Sequence, residues 1–264
     1  MTRMPSYFIS HGGGPWPWID DMRAAFAPLE ASLAAIPAAL PEQPRAILMV
    51  SGHWEAREAR VMHAERPPMV YDYGGFPAHT YEITYPAPGA PRLAERAAAL
   101  IEAAGLAVTV DETRGFDHGA FVPAFVMYPD ADVPMFQVSL MESYDPEDHF
   151  RLGRALAPLR DEGVLILGSG LSYHNLRLFG PGARGPSEAF DAWLDTALAL
   201  DPAARTAALL DWESAPEART CHAREDHLVP LFVALGAAEE TGATRVYHQE
   251  MIFGGVTASS WRFD

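Results

Sequence analysis

Short apolar runs alternate along the chain with longer segments in which apolar residues recur at every third and fourth position. Continuous apolar runs are typical of strands buried on both faces, whereas the three-and-four spacing is typical of amphipathic helices. The alternation of the two patterns predicts an α/β fold, in which a mostly parallel central sheet is flanked by helices.

These patterns predict five strands and seven helices before the tail of the chain. The expected strands cover residues 7–10, 46–51, 107–111, 135–140 and 164–168. The expected helices cover residues 20–38, 90–104, 118–127, 146–162, 187–200, 202–211 and 225–236.

The tail has a different pattern. Residues 245–249 and 256–263 look like two strands separated by Gly254 and Gly255, which predicts a C-terminal antiparallel pair at the edge of the sheet. An exposed edge there would be compatible with a homo-oligomer. The chain has no internal repeat and no linker-like stretch, so we expect residues 1–264 to form a single catalytic domain. Residues 71–91, punctuated by Pro and Gly, predict a long ordered loop of the kind that often covers an active site.

Composition narrows the classes of function. A hydrophobic fraction of 49% in 264 residues is enough for a substantial core. The net charge of -16 and the absence of a basic cluster argue against a nucleic-acid partner. The single cysteine, Cys221, excludes an intrachain disulfide and a Cys-rich zinc site. Because no apolar stretch suits a signal peptide or a membrane span, we expect a cytoplasmic protein without a membrane partner.

Five of the ten histidines lie where a ligand site is expected. His11, His53 and His174 each follow a predicted strand, and His118 and His227 lie at the starts of predicted helices. The carboxyl ends of strands in an open α/β sheet line its ligand crevice, so side chains distant in sequence can converge there. The sequence therefore predicts a histidine-rich site at this edge.

The residue types indicate metal chemistry. Imidazole suits zinc, copper, iron and nickel, whereas magnesium and calcium prefer oxygen ligands. The chain contains no His-Glu-x-x-His, no Walker loop and no Gly-x-Ser-x-Gly. These observations predict a histidine metal site and leave its reaction open.

The same residues carry a resemblance to a known family. The blocks that carry it run in order through the chain: Ser10-His11-Gly12, Ser51-Gly52-His53-Trp54, Asp72-Tyr73-Gly74-Gly75-Phe76-Pro77, Tyr85-Pro86-Ala87-Pro88-Gly89, Asp117-His118-Gly119, Gly168-Ser169-Gly170 with His174-Asn175-Leu176, and His227-Leu228-Val229-Pro230-Leu231. In these blocks the chain resembles the DOPA-dioxygenase-like extradiol aromatic ring-opening dioxygenases, in the superfamily of the protocatechuate 4,5-dioxygenase catalytic subunit.

The resemblance implies roles for the five histidines. His11, His53 and His227 would be the metal ligands, His174 the acid/base residue, and His118 a second polar group that contacts substrate or oxygen. Two alternatives stay open: Glu225 in place of His227, because distant relatives use a glutamate, and His174 as a further ligand in the substrate-free state.

Two positions depart from the family pattern. The opening His-Gly-Ser/Ala-Pro is one residue longer here, with glycine at positions 12–14, and Asp226 stands where a glutamate commonly precedes the helix histidine. These changes bear on substrate identity and on the hydrogen bonds that support the ligands.

The function implied by the resemblance is a non-heme extradiol ring-cleaving dioxygenase. It would insert both atoms of O₂ into a small catechol, DOPA or another catecholic acid, to give a muconic semialdehyde. Iron(II) is the expected ion, and zinc(II) is the alternative. A zinc-dependent hydrolase on the same fold and a non-catalytic metal-binding relative are the competing hypotheses.

Overall fold

Ten strands are present in the computed structural model, which describes residues 2–264. They are β1 (Ser6–Ser10), β2 (Ala46–Ser51), β3 (Glu55–Ala56), β4 (Ala59–Met62), β5 (Val108–Asp111), β6 (Met135–Gln137), β7 (Leu140–Met141), β8 (Val164–Gly170), β9 (Ala243–Ile252) and β10 (Val256–Phe263).

Ten α-helices accompany them in the described part of the chain. They are α1 (Asp20–Ala25), α2 (Ala27–Ala39), α3 (Pro91–Ala103), α4 (His118–Met127), α5 (Pro146–Leu156), α6 (Pro158–Asp161), α7 (Arg184–Leu198), α8 (Pro202–Leu210), α9 (Ala218–Cys221) and α10 (Pro230–Gly236).

Six strands form the central sheet, in the order β6-β2-β8-β1-β10-β9. The first four are parallel to one another, whereas β10 pairs antiparallel with both β1 and β9. The predicted α/β fold, with its mostly parallel sheet and C-terminal antiparallel pair, is confirmed. Because β2, β8 and β1 are parallel neighbours, their carboxyl ends lie side by side at one edge of the sheet.

Helices cover both faces of the central strands. Along β8, an ideal Cβ at Gly168 points at α10 and one at Gly170 points at the segment that leads into α10, whereas the Ser169 hydroxyl points at the start of α4. Helix α5 packs on α10, and α2 packs on α4. Since successive residues of a strand face opposite sides, α10 and α4 lie on opposite faces of the sheet.

Residues 107–111 were predicted as a strand of the central sheet, and that placement in the sheet was wrong. The strand β5 exists, but it pairs only with β4, in a separate two-stranded parallel sheet. Its four residues are partly or fully exposed, unlike the buried strands of the central sheet. The predicted strand 135–140 is also divided into β6 and β7, which belong to different sheets.

Proline explains three differences between the predicted and the observed helices. The predicted helix 20–38 is interrupted at Phe26, and the predicted helix 146–162 is interrupted at Ala157; Pro28 and Pro158 follow these breaks. The predicted helix 225–236 begins only at Pro230. Proline has no N–H for the bond to the residue four positions earlier, so each is placed in a first turn.

No helix among residues 2–264 is long and apolar enough to cross a membrane.

The end of β8 lies so close to the segment before α10 that position 170 requires glycine. This close contact gives the first testable prediction. A Cβ at Gly170 would overlap the carbonyl oxygen of His227, which accepts a hydrogen bond from the Leu171 amide at 2.9 Å. Gly170→Ala should therefore lower the free energy of unfolding by roughly 1–3 kcal/mol, as overpacking does. Urea denaturation of the metal-free protein measures this change.

The matched control is Gly242→Ala, because a Cβ there meets nothing within 4 Å. It should change the free energy of unfolding by no more than about 0.5 kcal/mol. Equal effects of the two substitutions would show that the close contact at Gly170 is not needed for stability.

Candidate active site

His11 leaves the end of β1 in a tight turn. Gly12 follows with a φ of 76°, and the Trp16 indole nitrogen donates a hydrogen bond of 2.8 Å to the carbonyl oxygen of His11. A side chain on Gly12 would need the left-handed conformation and would also collide with the Trp16 ring. Glycine and the buried indole together fix the direction in which the His11 ring leaves the strand.

Three imidazole nitrogens meet at the edge of the sheet. The Nε2 atoms of His11 and His53 lie 3.2 Å apart, and those of His53 and His227 lie 3.0 Å apart. The rings of His11 and His227 have centroids 5.2 Å apart. We call these three residues the histidine cluster.

The spacing of the histidine cluster fits a metal ion. Two nitrogens each about 2.0–2.1 Å from one ion, at roughly 90–109°, lie about 2.8–3.4 Å apart. Both measured Nε2 separations fall in that range. Because the donors are imidazoles, the cluster suits iron(II) or zinc(II) better than magnesium or calcium.

The far nitrogen of each imidazole in the histidine cluster has a partner. His11 Nδ1 lies 3.1 Å from the Ser169 hydroxyl, His53 Nδ1 lies 3.2 Å from an Asp72 carboxylate oxygen, and His227 Nδ1 lies 3.0 Å from an Asp226 carboxylate oxygen. The last two contacts have ion-pair distances without hydrogen-bond geometry.

These partners decide which nitrogen carries the proton. Ser169 donates its hydroxyl proton to the carbonyl oxygen of Gly119, so it accepts from Nδ1–H of His11. Carboxylates only accept, so Asp72 and Asp226 favour the same tautomer at His53 and His227. All three Nε2 lone pairs then face one another. That arrangement is unfavourable alone and becomes favourable around a cation.

His118 and His174 flank the histidine cluster without joining its short Nε2 contacts. The His118 ring lies 3.9 Å from the His53 ring, and the His174 ring stacks at 3.4 Å on the His227 ring. His118 donates from Nδ1 to Asp72 at 2.7 Å, and His174 Nδ1 lies 3.7 Å from Asp226. Each aspartate thus contacts one cluster histidine and one flanking histidine.

Distance alone groups the donor atoms differently. Those of His11, His53 and His118 lie within 4.8 Å of one another, as do those of His174, Asp226 and His227. The two groups meet at the contact between His53 and His227. All five predicted site histidines therefore lie together around one point.

Burial and charge set the protonation of this site. Burial, followed by the neighbouring imidazoles, holds the pKa of His11 well below its ordinary value. Burial also lowers the pKa of His227 and His118 despite their aspartate partners. For His53, burial is outweighed by Asp72 and nearby carboxylates, which raise its pKa. Burial would raise the pKa of Asp72, but its contacts to His118 and His53 hold it far below normal. The aspartates are therefore ionised.

A cavity of about 340 Å³ opens above the histidine cluster, and all five site histidines line it. Loop residues Asp72, Tyr73 and Phe76 form one wall, so the loop predicted at 71–91 does contribute to the site. The lining also includes Phe253, from the turn between β9 and β10. A cavity of this volume is large enough for a small aromatic molecule.

Glu225, the alternative to His227, points elsewhere. Its carboxylate accepts a hydrogen bond of 2.6 Å from Arg219, and it does not line the cavity. His227 lies in the turn closed by the hydrogen bonds of Leu228 and Val229 to the Glu225 carbonyl, directly before α10 begins at Pro230.

Three supporting residues were not predicted from the sequence. In the sequence, Ser169 and Asp72 stand out only as parts of motif blocks, and Asp226 only as a departure from the family pattern. A carboxylate on a glycine-rich loop, 46 residues before its partner His118, gives no local signal. Their roles follow from which ring nitrogens they contact.

Fold and site together define an α/β protein with a buried histidine cluster, able to hold a metal ion, beneath an aromatic-walled cavity. The model of the family described as the catalytic LigB subunit of aromatic ring-opening dioxygenase matches residues 6–264. The chain belongs to this family, whose enzymes depend on a metal ion and act on an aromatic substrate with O₂. The predicted resemblance and the predicted class of enzyme are confirmed.

Individual relatives agree with the family match. The 4,5-DOPA dioxygenase extradiol of Beta vulgaris is 39% identical, over 98% of this chain and 96% of its own length. The protein of the same name from Escherichia coli K12 is 37% identical, over 89% of this chain and 86% of its own. Dioxygenase tasH of Hapsidospora irregularis is 38% identical, over 95% of this chain and 84% of its own length.

A solved structure shares the fold. The crystal structure of uncharacterized protein JW3007 from Escherichia coli K12 superimposes with a TM-score of 0.79 at 30% identity, covering 99% of this chain and 100% of that chain.

The bridging position of Asp72 generates the second prediction. Asparagine has one acceptor oxygen, and its NH₂ group would face one of the two Nδ1–H groups. Asp72→Asn should therefore weaken Zn²⁺ binding by about 10–100-fold, as loss of a ligand-orienting partner does. Competition with a chromophoric chelator measures the affinity.

The control variant is Asp161→Asn, at an exposed ion pair with Arg3, and it should bind Zn²⁺ with unchanged affinity. An unchanged affinity in Asp72→Asn would mean that Asp72 does not orient the cluster.

Proposed function

We propose that residues 1–264 form one catalytic domain that carries out metal-dependent extradiol cleavage of a small catechol. Both atoms of O₂ enter the ring beside the diol, and the product is a muconic semialdehyde. The observation that carries this proposal is the convergence of three Nε2 lone pairs, from His11, His53 and His227, on the floor of an aromatic-walled cavity.

The histidine cluster would hold iron(II), with zinc(II) as the alternative ion. Bound there, iron(II) would supply the coordination sites and redox chemistry that let a catechol react with O₂. A reducing compartment such as the cytoplasm would keep the iron in that state, and this is where we place the enzyme.

His174 is proposed as the acid/base residue. Its ring lies against His227 and lines the cavity, where it is 17% exposed, so it can reach a substrate held at the cluster. A catechol must lose a proton from its second hydroxyl, and a later intermediate must regain one. Imidazole suits both steps because its ordinary pKa is about 6.5.

His118 is proposed as the second polar contact to substrate or oxygen. Its Nδ1–H donates to Asp72, which leaves Nε2 free of that contact, and the residue lines the cavity. Because burial lowers the pKa of His118, the neutral ring is favoured, and Nε2 can accept a proton or hydrogen bond from a catechol hydroxyl.

Catecholic acids are the first substrates to assay. Four relatives carry the name 4,5-DOPA dioxygenase extradiol. Their name supports a catechol as the substrate class of this chain.

One experiment separates this proposal from a zinc hydrolase. The metal-free protein is reconstituted anaerobically with Fe²⁺ or Zn²⁺, catechols are added, air is admitted, and oxygen uptake is followed together with visible absorbance. We expect a yellow product and one O₂ consumed per catechol with Fe²⁺ only. Ester or amide hydrolysis with Zn²⁺, without oxygen uptake, would refute the dioxygenase proposal.

The roles of the histidines make the third prediction. His174→Ala should retain metal and lose about 10²–10⁴-fold in kcat, the usual contribution of a general acid/base. His11→Ala should lose metal, because one of three converging donors is gone. Metal content by elemental analysis and turnover by oxygen uptake measure the two effects.

His63→Ala is the matched control for both variants, since His63 pairs with Glu95 on the surface away from the cavity. It should keep metal and turnover. Equal metal loss in His174→Ala and His11→Ala would make His174 a ligand and overturn its acid/base role.

A further inference from the structure

The cavity runs from buried histidines to an exposed apolar mouth. His11 and His227, at its inner end, are 1% and 2% exposed, whereas Phe179 and Phe253, which also line it, are 44% and 45% exposed. A catechol that presents its two oxygens to the histidine cluster points its carbon 4 towards the mouth, because that carbon lies on the far side of the ring from the diol. A substituent on carbon 4 therefore reaches the residues of the mouth.

Phe253 lies in a segment with an unusual backbone. We call residues 251–255, which join β9 to β10, the hairpin turn. Three of its residues have positive φ: Met251 at 60°, Phe253 at 48° and Gly254 at 84°. Glycine adopts this region freely, but a residue with a side chain does so only at a cost in free energy. Such a conformation persists where the surrounding structure imposes it, and it is frequent at ligand sites.

The hairpin turn is anchored on the segment that leads into α7. A Cβ at Gly255 would lie 1.8 Å from the carbonyl oxygen of Gly180, so the two backbones are in direct contact. The Ser187 hydroxyl, in α7, accepts a hydrogen bond of 3.0 Å from the Thr257 amide and lies 3.3 Å from the carbonyl oxygen of Gly255. These contacts fix the base of the turn that carries Phe253.

The Phe253 ring lies between two other aromatic rings of the cavity lining. Its centroid is 5.3 Å from that of Phe26, in an edge-to-face arrangement, and 6.2 Å from that of Phe179. Contacts of this kind are favourable. Phe26 in turn packs on Trp16, whose indole donates to the His11 carbonyl oxygen. The Phe253 ring is thus held at the mouth, and its exposed part is free to contact a ligand.

We propose that Phe253 is a specificity-determining residue, whose ring packs against the substituent on carbon 4 of the catechol. This inference rests on the proposed ring-cleaving function and adds to it a residue that distinguishes one catechol from another. Burial of each methylene against such a surface strengthens binding by roughly three- to fourfold. Because the contact lies away from the diol, it is the same before and during ring opening, so it acts on KM rather than on kcat.

The test compares Phe253→Ala with the unaltered chain, both loaded with Fe²⁺, on catechol, 4-methylcatechol, 4-propylcatechol and DOPA. We expect kcat/KM for 4-propylcatechol to fall about tenfold more than that for catechol, through a higher KM, with 4-methylcatechol in between. DOPA, whose side chain is attached at the same carbon, should also lose more than catechol. Oxygen uptake measures the rates. Equal losses on all four substrates, or no loss on any, would overturn the proposal.

Two variants serve as matched controls. Phe253→Leu keeps an apolar side chain at the same backbone position, so its selective loss on 4-propylcatechol should be no more than about threefold. Met251→Ala alters a residue of the same turn that also has positive φ and is 47% exposed but does not line the cavity. It should leave the ratio of kcat/KM between 4-propylcatechol and catechol unchanged. A loss in Met251→Ala as large as that in Phe253→Ala would assign the effect to the turn and refute the role of the ring.

Binding without turnover separates this inference from the proposed function. Anaerobic calorimetry on the Zn²⁺-loaded protein gives the affinities of catechol and 4-propylcatechol for the unaltered chain and for Phe253→Ala. A selective weakening of 4-propylcatechol binding supports the inference even where no ring is opened. Cleavage of catechol together with equal weakening of both ligands would leave the ring-opening function in place and exclude the contact to Phe253.

Discussion

The structure depends on one constraint at its ligand site: three imidazoles must present unprotonated Nε2 atoms to one point. The Nε2 atoms of His11 and His227 lie 3.2 and 3.0 Å from that of His53. At these distances the lone pairs repel one another unless a cation lies between them. The protein holds the rings in place through contacts at their Nδ1 atoms. These contacts are made by Ser169 at His11, Asp72 at His53 and Asp226 at His227. These partners are themselves held by the α4 terminus, the glycine-rich loop and the turn before α10.

Two aspartates each join one residue of the histidine cluster to one flanking histidine. Asp72 joins His53 to His118, and Asp226 lies between His227 and His174. A change in the position of either carboxylate therefore alters a proposed ligand together with a flanking histidine that is proposed to contact the substrate.

The cavity has two parts: a histidine end, where the chemistry is proposed to occur, and apolar walls, which contact the rest of the substrate. Its polar end is built from strand ends and helix starts, which the rigid sheet fixes. Its apolar walls come from the loop that carries Phe76, the segment with Phe179 and the turn with Phe253. Loops can change without moving the histidine cluster, so family members that share the ring-opening site can differ in the substituent they accept.

The sequence by itself determined the α/β class, the antiparallel tail and the five histidines, because apolar periodicity and residue type are local properties that survive without the fold. It misplaced β5 in the central sheet, since periodicity shows that a strand forms and not which strand it pairs with. It extended α10 back over His227, where Pro230 limits the helix. Only the tertiary structure decided which nitrogen each imidazole presents, because that depends on Asp72 and Ser169, which are distant in sequence and reach the site through the sheet and the loop.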